Sequence, residues 1–519
     1  MEKKDDLESV GSKLIIPHLS SKKHNRGLAP AREAVAKAAV EYVGPAPQFR
    51  WSEKNLKFLD DIDDEDFVLI EIGGTGGDYE NELFLFAVKG MEREIGEEHF
   101  VYVLITYLPI PQHVGEMKTK PTQQAIRLLS QQGIFPDFIV CRAETPLDDV
   151  RKKKIMVNAN VPMDHIISAP DMATIYDIPV RLEEEGLGEK LLKKMGLEPR
   201  RKPDWSRWRQ LLERSKNPSR ILRVALVGKY VEIGDFQLTD SYISVNQSLL
   251  HAGVAADTKV EITWIDGRSF ERGDLEVESL ADYGGIIVPG AFGEGGAEGV
   301  IAALKFARET GMPFLGLCYG MQMAVVEFAR HVAGIERATS EEISDDSDYQ
   351  VVAVQESQKQ VLQDNRYGAS MRLGAYAAVL KKDSRVLDLY EKAGRINEDA
   401  ARIRQLLDNP EQSFRVGEIM LDRDKVVLER HRHRYEVNNR YRKKMEAKGL
   451  IVSGENMELN LVEMIEVNNH PWFVGVQFHP ELKSRIVKAH PLFRGFIAAS
   501  IEVKDESQLE GRNTEIPVV

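Results

Sequence analysis

The stretch "FLGLCYGMQMAVVEF" (314–328) places Cys318 between Gly316 and Gly320, where a short apolar run gives way to a helical pattern. A nucleophile on a sharp strand-to-helix turn needs such neighbours, because larger side chains would collide there. The helix that follows directs its N-terminal partial positive charge at the sulfur and favours thiolate, the reactive form. The backbone N–H of Tyr319 is then placed to stabilise an oxyanion. A thiol nucleophile also needs a base and a group that orients the base. "VQFHPE" (476–481) offers both. His479 and Glu481 stand two residues apart at the end of an apolar run, and an extended chain turns such residues to one side. A glycine loop, "PGAFG" (289–293), precedes both motifs in the chain. Alone, G-x-C-x-G also suits a buried structural cysteine, since free cysteines pack as small hydrophobes. The co-occurrence of the three features points to a cysteine hydrolase with a Cys–His–Glu triad.

Two α/β series are available to hold these groups. Buried-strand runs "FVLIEI" (67–72), "FVYVLITYL" (100–108), "FIVCR" (138–142) and "HIISA" (165–169) alternate with helical segments such as "PTQQAIRLLSQQG" (121–133). A weaker strand candidate, "KLIIPHL", and an Ala-rich helical pattern at 29–43 precede them. After a polar, basic linker at 201–220, a second series runs through "RVALVGKYV" (223–231), "VEITWID" (260–266), "GGIIVPG" (284–290), "MPFLGL" (312–317) and "WFVGVQFHPE" (472–481). Strands alternating with helices build mostly parallel sheets. The expected architecture is therefore α/β, with two doubly wound, mostly parallel-sheet domains at 1–200 and 221–505. A helical insertion is expected at 383–412 and an unpatterned tail at 506–519.

Composition narrows the function classes. The 519 residues carry a net charge of -13, which argues against nucleic-acid backbone binding as the main role. No apolar run is long enough for a membrane span. Two cysteines, Cys141 and Cys318, make no disulfide framework and fit a reducing cytoplasm. The basic runs at 198–210 and 429–444 read, from charge alone, as solvated faces.

The motifs carry a specific resemblance. "PGAFGEGGAEG", "GLCYGMQ" and "VQFHPE" resemble the class I glutamine amidotransferase domain. "GKYVEIGD", "RHVAGIERATSEE", "MRLGAY", "ERHRHRYEVNN" and "VNNHPWFVGVQFHPE" resemble, more narrowly, CTP synthases over about residues 220–500. The resemblance implies that Cys318 attacks the side-chain amide of glutamine, His479 shuttles protons and Glu481 orients the imidazole. Gly290 and Tyr319 would supply the oxyanion hole, while Gln322, Glu342 and Arg434 would hold the glutamine. A guanidinium suits the α-carboxylate because it grips it with two hydrogen bonds. Two positions depart from the family pattern: Ala291 stands for a second glycine, and Gly295 stands for an arginine in a lid linked to GTP activation. Weak or altered GTP control is therefore expected.

In the first half, "LIEIGGTGGDYENELF" (69–84), "GEMKTKPTQQ" (115–124), "IVCRAETPL" and "ISAPDMATIYDIP" are similar to the family's synthetase domain. Position by position, the resemblance makes Glu71 a Mg²⁺ ligand. Lys118, Thr119, Lys120, Thr122, Gln123 and Lys154 would meet UTP. Asp78 and Glu80 would contact a pyrimidine nucleotide, bound CTP as inhibitor in particular, and Asp171 and Met172 the adenine of ATP. Without the resemblance, "KTK" would read as a surface charge run. No G-x-x-x-x-G-K-[ST] phosphate loop occurs in the sequence. The first domain is therefore expected to be incomplete at its N-terminus, with UTP phosphorylation needing a further segment. The leading expectation is ATP- and Mg²⁺-dependent amination of UTP to CTP with ammonia from glutamine, in a homo-oligomer like the family's tetramer. A glutaminase with a regulatory nucleotide-binding module, and a non-catalytic assembly subunit, remain as alternatives.

Overall fold

A computed structural model describes residues 12–17, 67–73, 79–229, 232–233, 236–237, 242–293, 295–344, 347–354, 371–408, 413–416, 419, 421 and 423–514. The chain divides into two compact units, one up to Trp205 and one from Ser206. The helical pattern at 29–43 lies outside the described residues.

The first unit is built on a five-stranded sheet of β1 (Ser12–Pro17), β2 (Phe67–Ile72), β3 (Val101–Tyr107), β4 (Phe138–Ala143) and β5 (Ile166–Pro170), in the order β2-β1-β3-β4-β5. Strands β3, β4 and β5 are parallel, whereas β1 runs antiparallel to both β2 and β3. Period-2 alternation divides the strand side chains between two layers. Leu104, Ile139 and Cys141 pack with Ile126 and Leu129 of α2 (Lys120–Gln131) and Ile155 of α3 (Asp149–Ala159). Val101, Val103, Phe138 and Val140 face Leu182 of α4 (Ile178–Glu184) and Leu187 and Leu191 of α5 (Leu187–Lys194). Helix α1 (Tyr79–Ile95) precedes β3. Helices on both faces explain why the strand sequences are continuous apolar runs rather than alternating ones.

The second unit begins with α6 (Ser206–Lys216), which lies inside the stretch expected to be a linker. Its nine-stranded sheet comprises β6 (Arg220–Gly228), β7 (Thr258–Asp266), β8 (Gly285–Val288), β9 (Phe314–Leu317), β10 (Arg372–Leu380), β11 (Val426–His433), β12 (Leu450–Asn456), β13 (Leu461–Val467) and β14 (Phe473–Val476). The order is β11-β10-β12-β13-β14-β9-β8-β6-β7. The five strands from β14 to β7 are mutually parallel and form the doubly wound half. The other four continue the sheet antiparallel.

One face of the parallel half packs on α8 (Ala297–Thr310) and α9 (Tyr319–His331) through Val300, Leu304, Met321 and Val325. The opposite face packs on α7 (Ile243–Ala255) and α12 (Pro491–Thr514) through Leu249, Leu492, Phe493 and Phe496. Helix α12 runs on to Thr514, into the stretch expected to be a tail. The helical pattern at 383–412 forms α10 (Arg385–Lys392) and α11 (Arg395–Leu407). They lie on the antiparallel strands, with Ile403 and Leu406 against Ala377 and Leu428.

The basic run at 429–444 is only half a solvated face. Along β11, Glu429, His431 and His433 are buried while Arg430 and Arg432 are exposed. Strand alternation sends the arginines to water and the other three inward, a split that net charge does not register. No helix among the described residues is long and apolar enough to cross a membrane.

Candidate active site

Cys318 joins β9 to α9 with φ 49° and ψ -100°, a backbone region that non-glycine residues rarely occupy. Two hydrogen bonds hold it there: its N–H donates to the Val476 carbonyl at 2.7 Å, and its own carbonyl accepts from the N–H of Gln322 at 3.1 Å. The flanking glycines are required by contact. A Cβ on Gly320 would lie 2.2 Å from the Val288 carbonyl oxygen, and one on Gly316 would lie 2.8 Å from the Gly320 backbone. Tyr319 is the first residue of α9, so its N–H has no acceptor within the helix and is open to an oxyanion.

The base arrives from β14, which is parallel to β9 and ends at the same edge of the sheet. His479 and Glu481 do meet, but not as alternate residues of a strand. Strand β14 ends at Val476, and Pro480 opens a 3-10 turn over Pro480–Lys483. That turn folds the Glu481 carboxylate back onto the imidazole, with Nδ1 to Oε1 at 2.7 Å. The His479 N–H is fixed to the Arg430 carbonyl at 2.8 Å. Nucleophile and base converge at Gly290, where an added Cβ would sit 2.9 Å from His479 Cε1 and 3.6 Å from Cys318 Cβ. Burial disfavours the charged imidazolium, but the Glu481 carboxylate, with the nearby Cys318, outweighs it and raises His479 above its ordinary value.

A second cluster forms beside the triad. Glu342 accepts a hydrogen bond from the Gly293 N–H at 2.8 Å, and Lys229 and Arg434 both act on its carboxylate. Burial is the larger influence and raises Glu342 above the usual carboxylate range. Arg434 keeps a buried Nε with no hydrogen-bond partner in the protein, a donor open to a ligand. Gln322 donates from Nε2 to the Tyr435 carbonyl at 2.9 Å. Ala291 is buried, and a Cβ on Gly295 would meet no atom within 4 Å.

Three participants escaped the sequence reading. Lys229 bonds the Gly293 carbonyl and lies 4.2 Å from the Tyr319 ring. Gln477 approaches Cys318 Sγ at 3.8 Å. Tyr435 supplies the carbonyl that holds Gln322. All three lie inside or beside quoted motifs, "GKY", "VQFHPE" and "HRYEV", so adjacency was the available signal.

In the first unit, Lys118, Thr119 and Lys120 follow β3 and Asp171 and Met172 follow β5, at the carboxyl ends of parallel strands where open α/β sheets take ligands. Lys118 bonds Glu116 at 2.9 Å, and Lys118, Arg151 and Lys154 all act on that carboxylate. Arg151, also missed from sequence, donates to the Met117 carbonyl at 3.2 Å and so ties α3 to this loop. Thr119 accepts from Gln123 at 3.2 Å, while Lys120 opens α2. Thr122 is turned into the core against Thr106 at 3.0 Å. Asp171 follows β5, its N–H on the Ala143 carbonyl at 2.8 Å, and Met172 beside it is exposed. Glu71 lies near the end of β2, which runs in the same direction as β3. Asp78 lies outside the described residues, and of Glu80 only its place in the first turn of α1 is described. Among the described residues no group of three or more His, Cys, Asp or Glu could hold a metal ion.

The family model of class I glutamine amidotransferases matches residues 237–499 of the second unit. A second family model, the CTP synthase N-terminus, matches residues 51–197. The CTP synthase of Thermomicrobium roseum is 41% identical over 443 residues, covering 85% of this chain and 72% of that protein. That of Methanocaldococcus jannaschii is 41% identical over 445 residues, covering 85% of this chain and 75% of that protein. Among solved structures, the glutaminase domain of Trypanosoma brucei CTPS with bound acivicin is 32% identical, with a TM-score of 0.44 over 54% of this chain and 94% of that one. The chain belongs to the CTP synthase family, whose reaction is the ATP-dependent conversion of UTP to CTP with nitrogen taken from glutamine.

Proposed function

We propose that this chain releases ammonia from glutamine at Cys318 and delivers it to the family's reaction, the ATP-dependent amination of UTP to CTP. The observation that carries the reading is the convergence of Cys318 and His479 on Gly290, with Glu481 bonded to the imidazole at 2.7 Å. The thiolate attacks the side-chain amide carbonyl, and the Tyr319 N–H with the backbone around Gly290 receives the oxyanion. The His479 imidazolium protonates the departing nitrogen, leaving a thioester on Cys318. Neutral His479 then takes a proton from water, which attacks the thioester and frees glutamate. Arg434 and Glu342 carry complementary charges for the substrate's α-carboxylate and α-ammonium, and Gln322 lines the same pocket.

In the nucleotide half of the reading, UTP phosphates lie over Lys118, Lys120, Arg151 and Lys154, and ATP lies beside Asp171 and Met172. CTP as inhibitor would share the pyrimidine site, with Asp78 and Glu80. The family chemistry calls for ATP with Mg²⁺. Glu71 is one carboxylate and does not make a metal site with the other described residues. Gly295 brings no side chain to the loop after β8, which supports weak GTP control. Assembly into a homo-oligomer and a cytoplasmic location belong to the same reading.

The test is glutamate release from glutamine by the purified chain in the presence of ATP and UTP. We expect release in the native protein and none in Cys318→Ala. Release that persists in Cys318→Ala would dismiss the triad.

A further inference from the structure

Gln477 stands directly after β14 and is fully buried. Its backbone N–H is spent on the Glu463 carbonyl at 2.9 Å, so its side chain is fixed from behind. Amide oxygens and nitrogens look alike, and their assignment must come from the hydrogen-bond network. Here the network decides it. The Tyr435 carbonyl can only accept, so the atom of Gln322 that faces it at 2.9 Å must be the nitrogen. The same Gln322 nitrogen lies 3.4 Å from the Gln477 amide, which must therefore present its oxygen. The remaining end of Gln477 is then a donor, and it lies 3.8 Å from Cys318 Sγ. A carbonyl in the strand Tyr435–Val437 thus sets the polarity of two successive amides and ends on the nucleophile.

We propose that Gln477 is a catalytic residue whose side-chain N–H donates to the Cys318 sulfur and stabilises it as thiolate. This rests on the reading of Cys318 as the nucleophile. The bond is stronger to thiolate than to thiol, because a charged acceptor roughly doubles a hydrogen bond. It adds a donor to the imidazolium of His479 and the N-terminus of α9. As the thiolate becomes a thioester the sulfur loses its charge, so the bond acts on the attacking state and relaxes afterwards. Gln322 acts twice, since it lines the glutamine pocket and also locks the Gln477 amide in the donating orientation.

The titratable groups around the sulfur are His479 with Glu481 behind it. His431 and His433 are buried and within electrostatic reach of His479, and Glu463 sits behind Gln477. The test leaves all of them in place. The rate of Cys318 alkylation by iodoacetamide is measured against pH in the native chain, in Gln477→Met and in Gln477→Glu, with Cys318→Ala as blank. Cys141 is buried, and burial pushes its thiol up to about 12, so it contributes little.

Methionine keeps the length of the side chain without its donor, and the alkylation profile is expected to move to higher pH by about one unit. Glutamate presents a carboxylate to the sulfur and is expected to move it further. If Gln477→Met fails to fold, Gln322→Leu gives the same reading, because it releases the Gln477 amide to turn. Coincident profiles in folded variants overturn the proposal while leaving the triad intact. A native Cys318 that is neither alkylated nor competent for glutamate release overturns the triad itself.

Discussion

Substituting Gly290 by alanine isolates the geometry on which the glutaminase reading depends. The backbone there is not in the left-handed region, so alanine is conformationally permitted and costs the fold little. The added methyl would lie 2.9 Å from His479 Cε1. Carbon atoms rest at about 3.5–4.0 Å, so the imidazole must retreat by about 0.6 Å or more. It cannot do so freely, since Glu481 holds Nδ1 at 2.7 Å and the Arg430 carbonyl holds the backbone at 2.8 Å. The second contact, 3.6 Å to Cys318 Cβ, is ordinary, so the nucleophile stays while the base moves. A misplacement of about 1 Å between reacting groups costs about 10²-fold in rate. The expected outcome is a kcat for glutamate release lowered by about 10- to 100-fold, with KM for glutamine changed by less than about threefold. Thermal melting should match the native chain. Full glutaminase turnover in Gly290→Ala would refute the reasoning, because the methyl would then have displaced nothing that matters.

Three further substitutions have expected outcomes. Glu481→Gln removes the main influence that raises His479, so the imidazolium is lost at lower pH and the alkaline limb of kcat for glutamate release moves down; an unmoved limb would contradict the assignment. A raised histidine stabilises the fold fully below its unfolded value of about 6.5, and that contribution drains away as pH climbs through the folded one. The same variant should therefore be destabilised more at acid than at alkaline pH in urea titrations. Arg372→Met strips the shared cation from Glu436 at 3.1 Å and Glu463 at 2.6 Å, all three buried, and should lower unfolding free energy by about 3–5 kcal/mol, less at acid pH where a carboxylate can take up a proton. A loss under about 1 kcal/mol would show the cluster to be solvated. Lys118→Ala should weaken UTP binding by about tenfold in a binding titration with glutaminase activity unchanged, and unaltered UTP binding would remove that lysine from the nucleotide site.

What could be read from the chain, and what could not, follows from the range of the interactions. The elbow was legible because its constraints are local: Gly316 and Gly320 are small for reasons found within the same turn and the strand beside it. The strands of the parallel half were legible because burial on both faces makes them unbroken apolar runs. His479 and Glu481 do meet, but not by strand alternation, since Pro480 turns the chain where alternation assumed extension. The buried polar network resisted reading altogether. Gln322 and Gln477 meet across 155 positions, and Arg372 meets Glu463 across 91. Nothing local marks such residues, because a glutamine or arginine bound for the core is chemically the same as one bound for water. The run "ERHRHRYE" shows the difference best: charge patterning sees eight polar residues in a row, whereas strand alternation gives Arg430 and Arg432 to solvent and keeps Glu429, His431 and His433 for the interior. Burial holds the imidazoles of His431 and His433 below their ordinary value, and His479 adds to that effect on both, so residues that composition assigned to the surface lie in the interior within electrostatic reach of the base.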